Sequence, residues 1–389
     1  MMRRLLTLTI SGLLLAPVAA RPAELRARGL LDLVLVSGSE AVGLNRLTQG
    51  DSNFDPYRVH VFLDAKVSPT LDVYVQTILH EGAAKTLADG AYAQWTPWPS
   101  RDAHVQAGKI PWPVGTWAPR TYSDKNPLVG MPLMYEYHTS LAWNVAAASV
   151  DQLVSAAGQG QYGVNYGGNP GAGMPVVDDR WWDVGVVALG SQRPIEYSIG
   201  TIQGSPGWPV TGADNTPGQT FLGRLGIMPA AEIRAGVSGV YGTWMPEWFR
   251  FRLPPGGSLR DYHESIGMAD LEIARGPWEL RSEGFLKEWQ TITTGKLRLH
   301  GGYAEARAAF GDGAWLAARY DMMRFSDVTT SLGVTRPWDD GIDRIEAGAG
   351  FRVNRDWRLK ATFQRNVLHP FQADDKTADL YALAASIKL

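Results

Sequence analysis

The side chains best suited to proton transfer near neutral pH are seven histidines, His60, His80, His104, His138, His263, His300 and His369. They are scattered along the chain, and no serine stands in a G-x-S-x-G setting. A hydrolytic site needs nucleophile, base and acid on one face. No catalytic residue is therefore expected, and the chain does not read as an enzyme. The sequence contains no cysteine, which removes disulfides, thiolate metal sites, CxxCH haem attachment and thiol nucleophiles. The acidic piece Asp339-Asp340-Gly341-Ile342-Asp343 lacks EF-hand spacing. It reads as a solvated turn, so neither metal nor cofactor is expected. The chemistry that remains is electrostatic, carried by charged side chains that recur at every second position within apolar runs.

The hairpin 343–366 displays that pattern most fully. Ile345, Ala347, Ala349, Phe351 and Val353 alternate with Arg344, Glu346 and Arg352. After Asn354-Arg355-Asp356, the residues Trp357, Leu359, Ala361 and Phe363 alternate with Arg358, Lys360, Thr362 and Gln364. A period of two is a β-strand with one apolar and one charged face. Each arm runs about 11 residues, whereas strands of soluble proteins cluster near 5–6. At a tilt near 45°, about 9–11 residues cross a bilayer core. The spacing predicts an all-β protein, a transmembrane antiparallel β-barrel with lipid outside and water inside. A soluble β-sandwich alternates too, but its strands are shorter and its turns lack the asymmetry described next.

Short turns are expected at 68–70, 99–101, 192–194, 228–230, 275–277, 311–313 and 354–356, and Gly/Pro/Asp/Trp-rich connections lie between them. Alternation of short turns and long loops is the mark of barrels with periplasmic turns and extracellular loops. The turns give about fourteen strands; the first strand, near 30–36, and the last, 378–389, make about sixteen. The count treats 113–180 as one loop, although 133–143 within it is strand-like. Its aromatic content (Trp117, Tyr135, Tyr137, Trp143) predicts that it packs into the barrel interior. Ahead of the barrel, Arg3 and Arg4, an apolar run 5–15 and Pro17-Val18-Ala19-Ala20 form a signal peptide over 1–20. Residues 21–389 then read as one domain in the outer membrane of a Gram-negative cell. A formal net charge of −2 predicts no nucleic-acid partner.

With apolar faces toward lipid, the opposite faces line the lumen. The early strands contribute Arg58, His60, Asp64, Lys66, Asp72 and Gln76. The middle strands contribute Glu232, Arg234, Asp270 and Glu272, then Glu279, Arg281 and Glu283. The late strands add Arg298, His300, Arg319 and Asp321, then Arg344, Glu346, Arg352, Arg358, Lys360 and Gln364. Gly301-Gly302 reads as a bulge that would bring Glu305 and Arg307 inward as well. A charge facing mid-membrane lipid costs about 2–4 kcal/mol, which argues against the reverse arrangement. Trp95, Trp98, Trp112, Trp181, Trp182, Trp278, Trp289, Trp315 and Trp357 fall near strand ends, where interfacial belts form. Trp208, Trp244, Trp248 and Trp338, in loops, are candidates for stacking on sugars.

The run Glu346-Ala347-Gly348-Ala349-Gly350-Phe351, with Leu359-Lys360-Ala361-Thr362-Phe363-Gln364-Arg365-Asn366, resembles the last hairpin of sixteen-stranded porins, and in particular the phosphate-selective porin O/P type. Leu316-Ala317-Ala318-Arg319-Tyr320-Asp321 is similar to the strand before it. The resemblance implies a porin fold with an inward loop, passive diffusion of small hydrophilic solutes or ions, and a homotrimer. The chain departs from that type in its few lysines, its wall acids and its terminal Leu389 in place of Phe. Mixed wall charges predict modest ion selectivity. The alternative is a plugged barrel that serves as scaffold or sheath for a protein partner.

Overall fold

The structure, a computed structural model, describes residues 24–38, 52–80, 87–160, 163–166, 171, 173–178, 182–208 and 216–389. The expected signal peptide and Trp181 lie outside these residues. Barrel strands are β1 (Glu24–Gly38), β2 (Tyr57–Ser68), β3 (Leu71–His80), β4 (Leu87–Trp95) and β5 (Asp102–Pro111). Two short strands, β6 (His138–Ala142) and β7 (Gly173–Pro175), belong to the long excursion that follows β5. The wall resumes with β8 (Trp182–Gln192), β9 (Ile195–Ile202), β10 (Thr220–Ala230), β11 (Ile233–Thr243), β12 (His263–Arg275) and β13 (Trp278–Gln290). It continues with β14 (Lys296–Phe310) and β15 (Ala314–Phe325). A loop ribbon, β16 (Asp327–Thr329) and β17 (Thr335–Pro337), precedes β18 (Gly341–Arg352), β19 (Trp357–His369) and β20 (Lys376–Lys388).

Sixteen strands close in sequence order, β20 pairing back onto β1 from Leu30↔Lys388 to Gly38↔Leu380. Closure satisfies every strand edge, which a sheet in hydrocarbon requires. Alternation then decides the faces. Leu286 is 69% and Leu383 58% exposed on the outside, whereas Arg344 and Glu346 are fully buried inside. The apolar belt meets no protein and suits acyl chains. At the short-turn end, Asn354 Oδ1 accepts from the amides of Asp356 and Trp357 at 2.8 and 2.9 Å. Those two bonds fix the β18–β19 turn.

Several expectations are corrected. Strand β1 is longer than expected, with Arg26 and Arg28 inside its 15 residues. Strand β10 runs through Pro229 to Ala230 with a register shift, so the turn is Ala231-Glu232. Proline cannot donate to the ladder, and the strand bends round it. Glu232 therefore sits exposed in the turn, off the wall. No bulge exists at Gly301-Gly302, because the register runs unbroken through Phe285↔Gly301 and Gly284↔Gly302. Those glycines give close backbone approach instead, since a Cβ there would strike the Met322 and Glu283 carbonyls. Parity then sends Arg298 and His300 outward and brings Glu305 and Arg307 inward. The strand-like piece 133–143 forms a 3₁₀ turn (Leu133–Tyr135) and β6, which pairs with β7 away from the wall.

Candidate functional site: the inner wall and the segment packed on it

Strands β5 and β8 pair through Pro111↔Trp182, so the segment between them leaves the wall and returns to the same place. It returns because its backbone is tied to inward side chains. Thr116 donates its amide and its hydroxyl (2.8 Å) to Glu283 Oε1, and the Tyr135 hydroxyl donates to Glu283 Oε2. The Gly130 and Leu133 amides donate to Glu346 and Asp321, each at 3.0 Å. Arg344 donates to Glu136 at 2.6 Å and to the Met131 carbonyl at 3.0 Å. Lys360 Nζ reaches three carbonyls, those of Ser123, Asn126 and Leu128, at 2.8–3.2 Å. Across the barrel, Tyr122 donates to Gln76 at 2.5 Å and Ser123 to Asp32.

Burying charge requires pairing, and the pairs are present. Arg319 lies between Asp321 (3.2 Å), Glu305 (3.3 Å) and Glu346. Gln364 and Asn366 flank Arg344, whose Nε donates to Asn366 at 2.7 Å. Arg58 bridges to Asp32 at 3.0 Å, beside the buried His60. Arg224 binds Asp270 (2.7 Å) and Glu196, which also accepts from Arg234 at 2.6 Å. Glu272 pairs with Arg120 of the excursion. Glu279 holds Arg281 and Arg307, each at 2.7 Å. Toward the short-turn mouth, Asp64 pairs with Arg28 at 2.6 Å, Lys66 faces Asp72 in register, and Arg358 approaches Asp124 at 3.7 Å. Arg352 is exposed at the same end.

Two of the expected inner residues lie on the other face. Arg298 is outside, bonded to Glu288 at 2.7 Å, and His300 is exposed beyond it. Near them run the ion pairs Arg324–Asp343 and Arg365–Asp379, each 2.7 Å. The outer face is thus charged at the long-loop rim, above the apolar belt. The tryptophan assignment also divides: Trp95, Trp98, Trp278 and Trp357 are exposed near the short-turn end, while Trp112, Trp289 and Trp315 are buried. Trp143 and Trp208 stack at 3.8 Å with Trp248 at their edge, and Trp244 and Trp338 are buried in the same cluster. Asp339 is buried, not solvated. It accepts from the Ser140 and Gly158 amides, both at 2.7 Å, and burial pushes its carboxyl up to about 7.

The inner wall is also partly apolar. Leu297, Met323, Phe325, Ile342 and Leu368 point inward at the long-loop end and pack on Met134, Tyr137 and Leu141. The sequence signal was present, because Met322-Met323 and Val186-Val187 make those stretches apolar on both faces, as in strands covered on both sides. Toward the short-turn end an open cavity of about 1200 Å³ lies between the excursion and the wall, bordered by residues of β1–β5 and β8–β11.

No family model matches the sequence, and no curated protein does. Among solved structures, the chain is similar to the anion-selective porin from Comamonas acidovorans, with a TM-score of 0.58 at 9% identity over 95% of this chain and 100% of that one. It is similar to OmpF of Salmonella typhi, in complex with daunomycin, with a TM-score of 0.54 at 11% identity over 94% and 98%. The outer membrane channel DcaP of Acinetobacter baumannii gives a TM-score of 0.55 at 6% identity over 94% and 97%. With sixteen strands closed in sequence order, the chain has the fold of the outer-membrane porins.

Proposed function

We propose that the protein is an outer-membrane porin, through which small hydrophilic solutes or ions diffuse passively. The short turns face the periplasm and the long loops the exterior. The segment 113–180 acts as a constriction within the lumen, with the open cavity on its short-turn side. The observation that carries this reading is how the segment is seated: the buried Arg344–Glu136 pair and the bonds from Thr116, Gly130 and Leu133 to Glu283, Glu346 and Asp321 hold it across the lumen, while a cavity of about 1200 Å³ remains open toward the short-turn end. Structures described as an anion-selective porin and an outer membrane channel share the fold, which supports a channel role. The wall of this chain balances its arginines with acids, so its ion selectivity is modest, and a phosphate-selective type finds little support in that balance. A homotrimer accords with a structural relative from Vibrio cholerae described in a trimer form.

Planar-bilayer recording tests this reading. Discrete open steps with a reversal potential near zero in a salt gradient are expected; a barrel that inserts without conductance overturns it. A second reading draws on the apolar cluster beneath the excursion: a plugged barrel that docks a protein partner. It predicts silence in the bilayer together with a stoichiometric partner on purification.

A further inference from the structure

The cavity has a composition of its own. Phe62, Tyr74 and Tyr92, from three neighbouring strands, border it together with Trp182 and Tyr122. Tyr74 and Tyr92 stand directly opposite in register, and their rings stack with centroids 5.1 Å apart. Trp182 continues the row 6.1 Å from Tyr92. Its ring lies over Gly90, where a Cβ would strike it, so the glycine at that position makes the seat. On the other flank Phe62 meets Tyr122 at 5.4 Å. Amides lie along the row: Gln76 is opposite Phe62 in register, and Gln106 borders the same space beside Gln94 at 2.9 Å.

The charged groups around this row largely cancel at short range. Arg28 is paired with Asp64 (2.6 Å), Lys388 with Asp124 (2.9 Å), and Arg234 with Glu196 (2.6 Å). Little net field is left to fix an ion. What remains are aromatic surfaces edged by amides and phenol hydroxyls, and they match a solute with a C–H face and a rim of hydroxyls.

Resting on the diffusion reading above, we propose that this row is a weak stacking site for neutral pyranose sugars, which the porin conducts in preference to acyclic polyols of similar size. Two measurements separate the site from the channel. In detergent micelles, saturation-transfer NMR with maltose as probe reports binding whether or not the barrel conducts. Signal at the sugar ring protons is expected, and it should fall roughly 2- to 10-fold in Tyr92→Leu and in Tyr74→Leu. Heat-modifiable gel mobility verifies that each variant is folded, and Phe62→Leu replaces either one that is not. In bilayers, glucose should interrupt the current of the parent and less so that of the folded variants, whereas sorbitol, its acyclic counterpart of the same carbon number, should not. Absence of transfer, equal transfer in the folded variants, or equal response to sorbitol overturns the proposal. Transfer from maltose in a silent barrel supports the site and refutes the diffusion reading instead.

Discussion

Arg344 has no exposed surface. Its guanidinium is held by Glu136, Asn366 and the Met131 carbonyl, so its charge anchors the excursion instead of facing open solvent. Truncating one partner of such a buried pair strands the other. Arg344→Ala should therefore cost about 3–5 kcal/mol, seen as a lower temperature for the folded-to-unfolded gel shift, and should make the single-channel current larger and noisier. Asp339 behaves differently because it is buried against backbone amides with no cation bonded to it among the described residues. Its folded pKa of about 7 lies above the ordinary 3.8. Asp339 thus contributes fully to stability below about pH 4, and the contribution is lost as pH rises through about 7, because the ionised carboxylate is buried away from water although its amide bonds favour it. Thermal midpoints in detergent should fall between pH 5 and pH 8, and Asp339→Ala should flatten that slope. A midpoint that rises over the same range contradicts the assignment. Asp339 could not be read as buried from its neighbours, since an Asp-Asp-Gly run looks like any exposed turn until the excursion folds over it.

At the scale of elements, the faces and turn of the hairpin β18–β19 were legible, because strict alternation and an Asn-led turn left one register, although the strands reach Gly341 and His369, beyond the expected 343–366. The rule of charge inward and apolar outward failed in β14. Arg298 and His300 lie on the outer face at the long-loop rim, and the mistaken bulge at Gly301-Gly302 was needed only to reconcile them with Glu305. Sequence reports face by parity but does not report height above the apolar belt, and height decides whether an outward charge is costly. Arg28 was missed because the first strand begins earlier than its apolar core suggests, whereas Asp32 lay inside the expected strand 30–36 and was not assigned to the lumen. The cysteine-free chain makes a direct check simple. Arg298→Cys and His300→Cys should react with an impermeant maleimide applied from the long-loop side. Leu383→Cys, on the outer face four residues further from the long loops than Asp379 in its strand, should be protected in bilayers. Labelling in the opposite order would place the belt wrongly.

For the whole molecule, the interior combines a dry layer toward the long loops with a wet one toward the short turns. The dry layer brings strand residues such as Leu299 and Phe325 into one cluster with Tyr137 and Leu141 of the excursion. Removing 113–178 should accordingly do more than widen a channel. It would uncover an apolar inner face, and the variant is expected to lose the compact, heat-modifiable gel band. A well-folded, simply wider pore would show that the dry layer contributes little.

The ties of the excursion also bear on how the polypeptide reaches this state. Thr116 finds Glu283 across 167 positions of sequence, Gly130 finds Glu346 across 216, and Ser123 finds Lys360 across 237. Made early, this segment must wait for residues made late, and the entropy of closing such spans is lost before any of these bonds forms. Seating is therefore a late, all-together event that accompanies joining of the final strands. Until then the ribbon of finished hairpins carries a long unseated aromatic tether with its apolar surface still to bury.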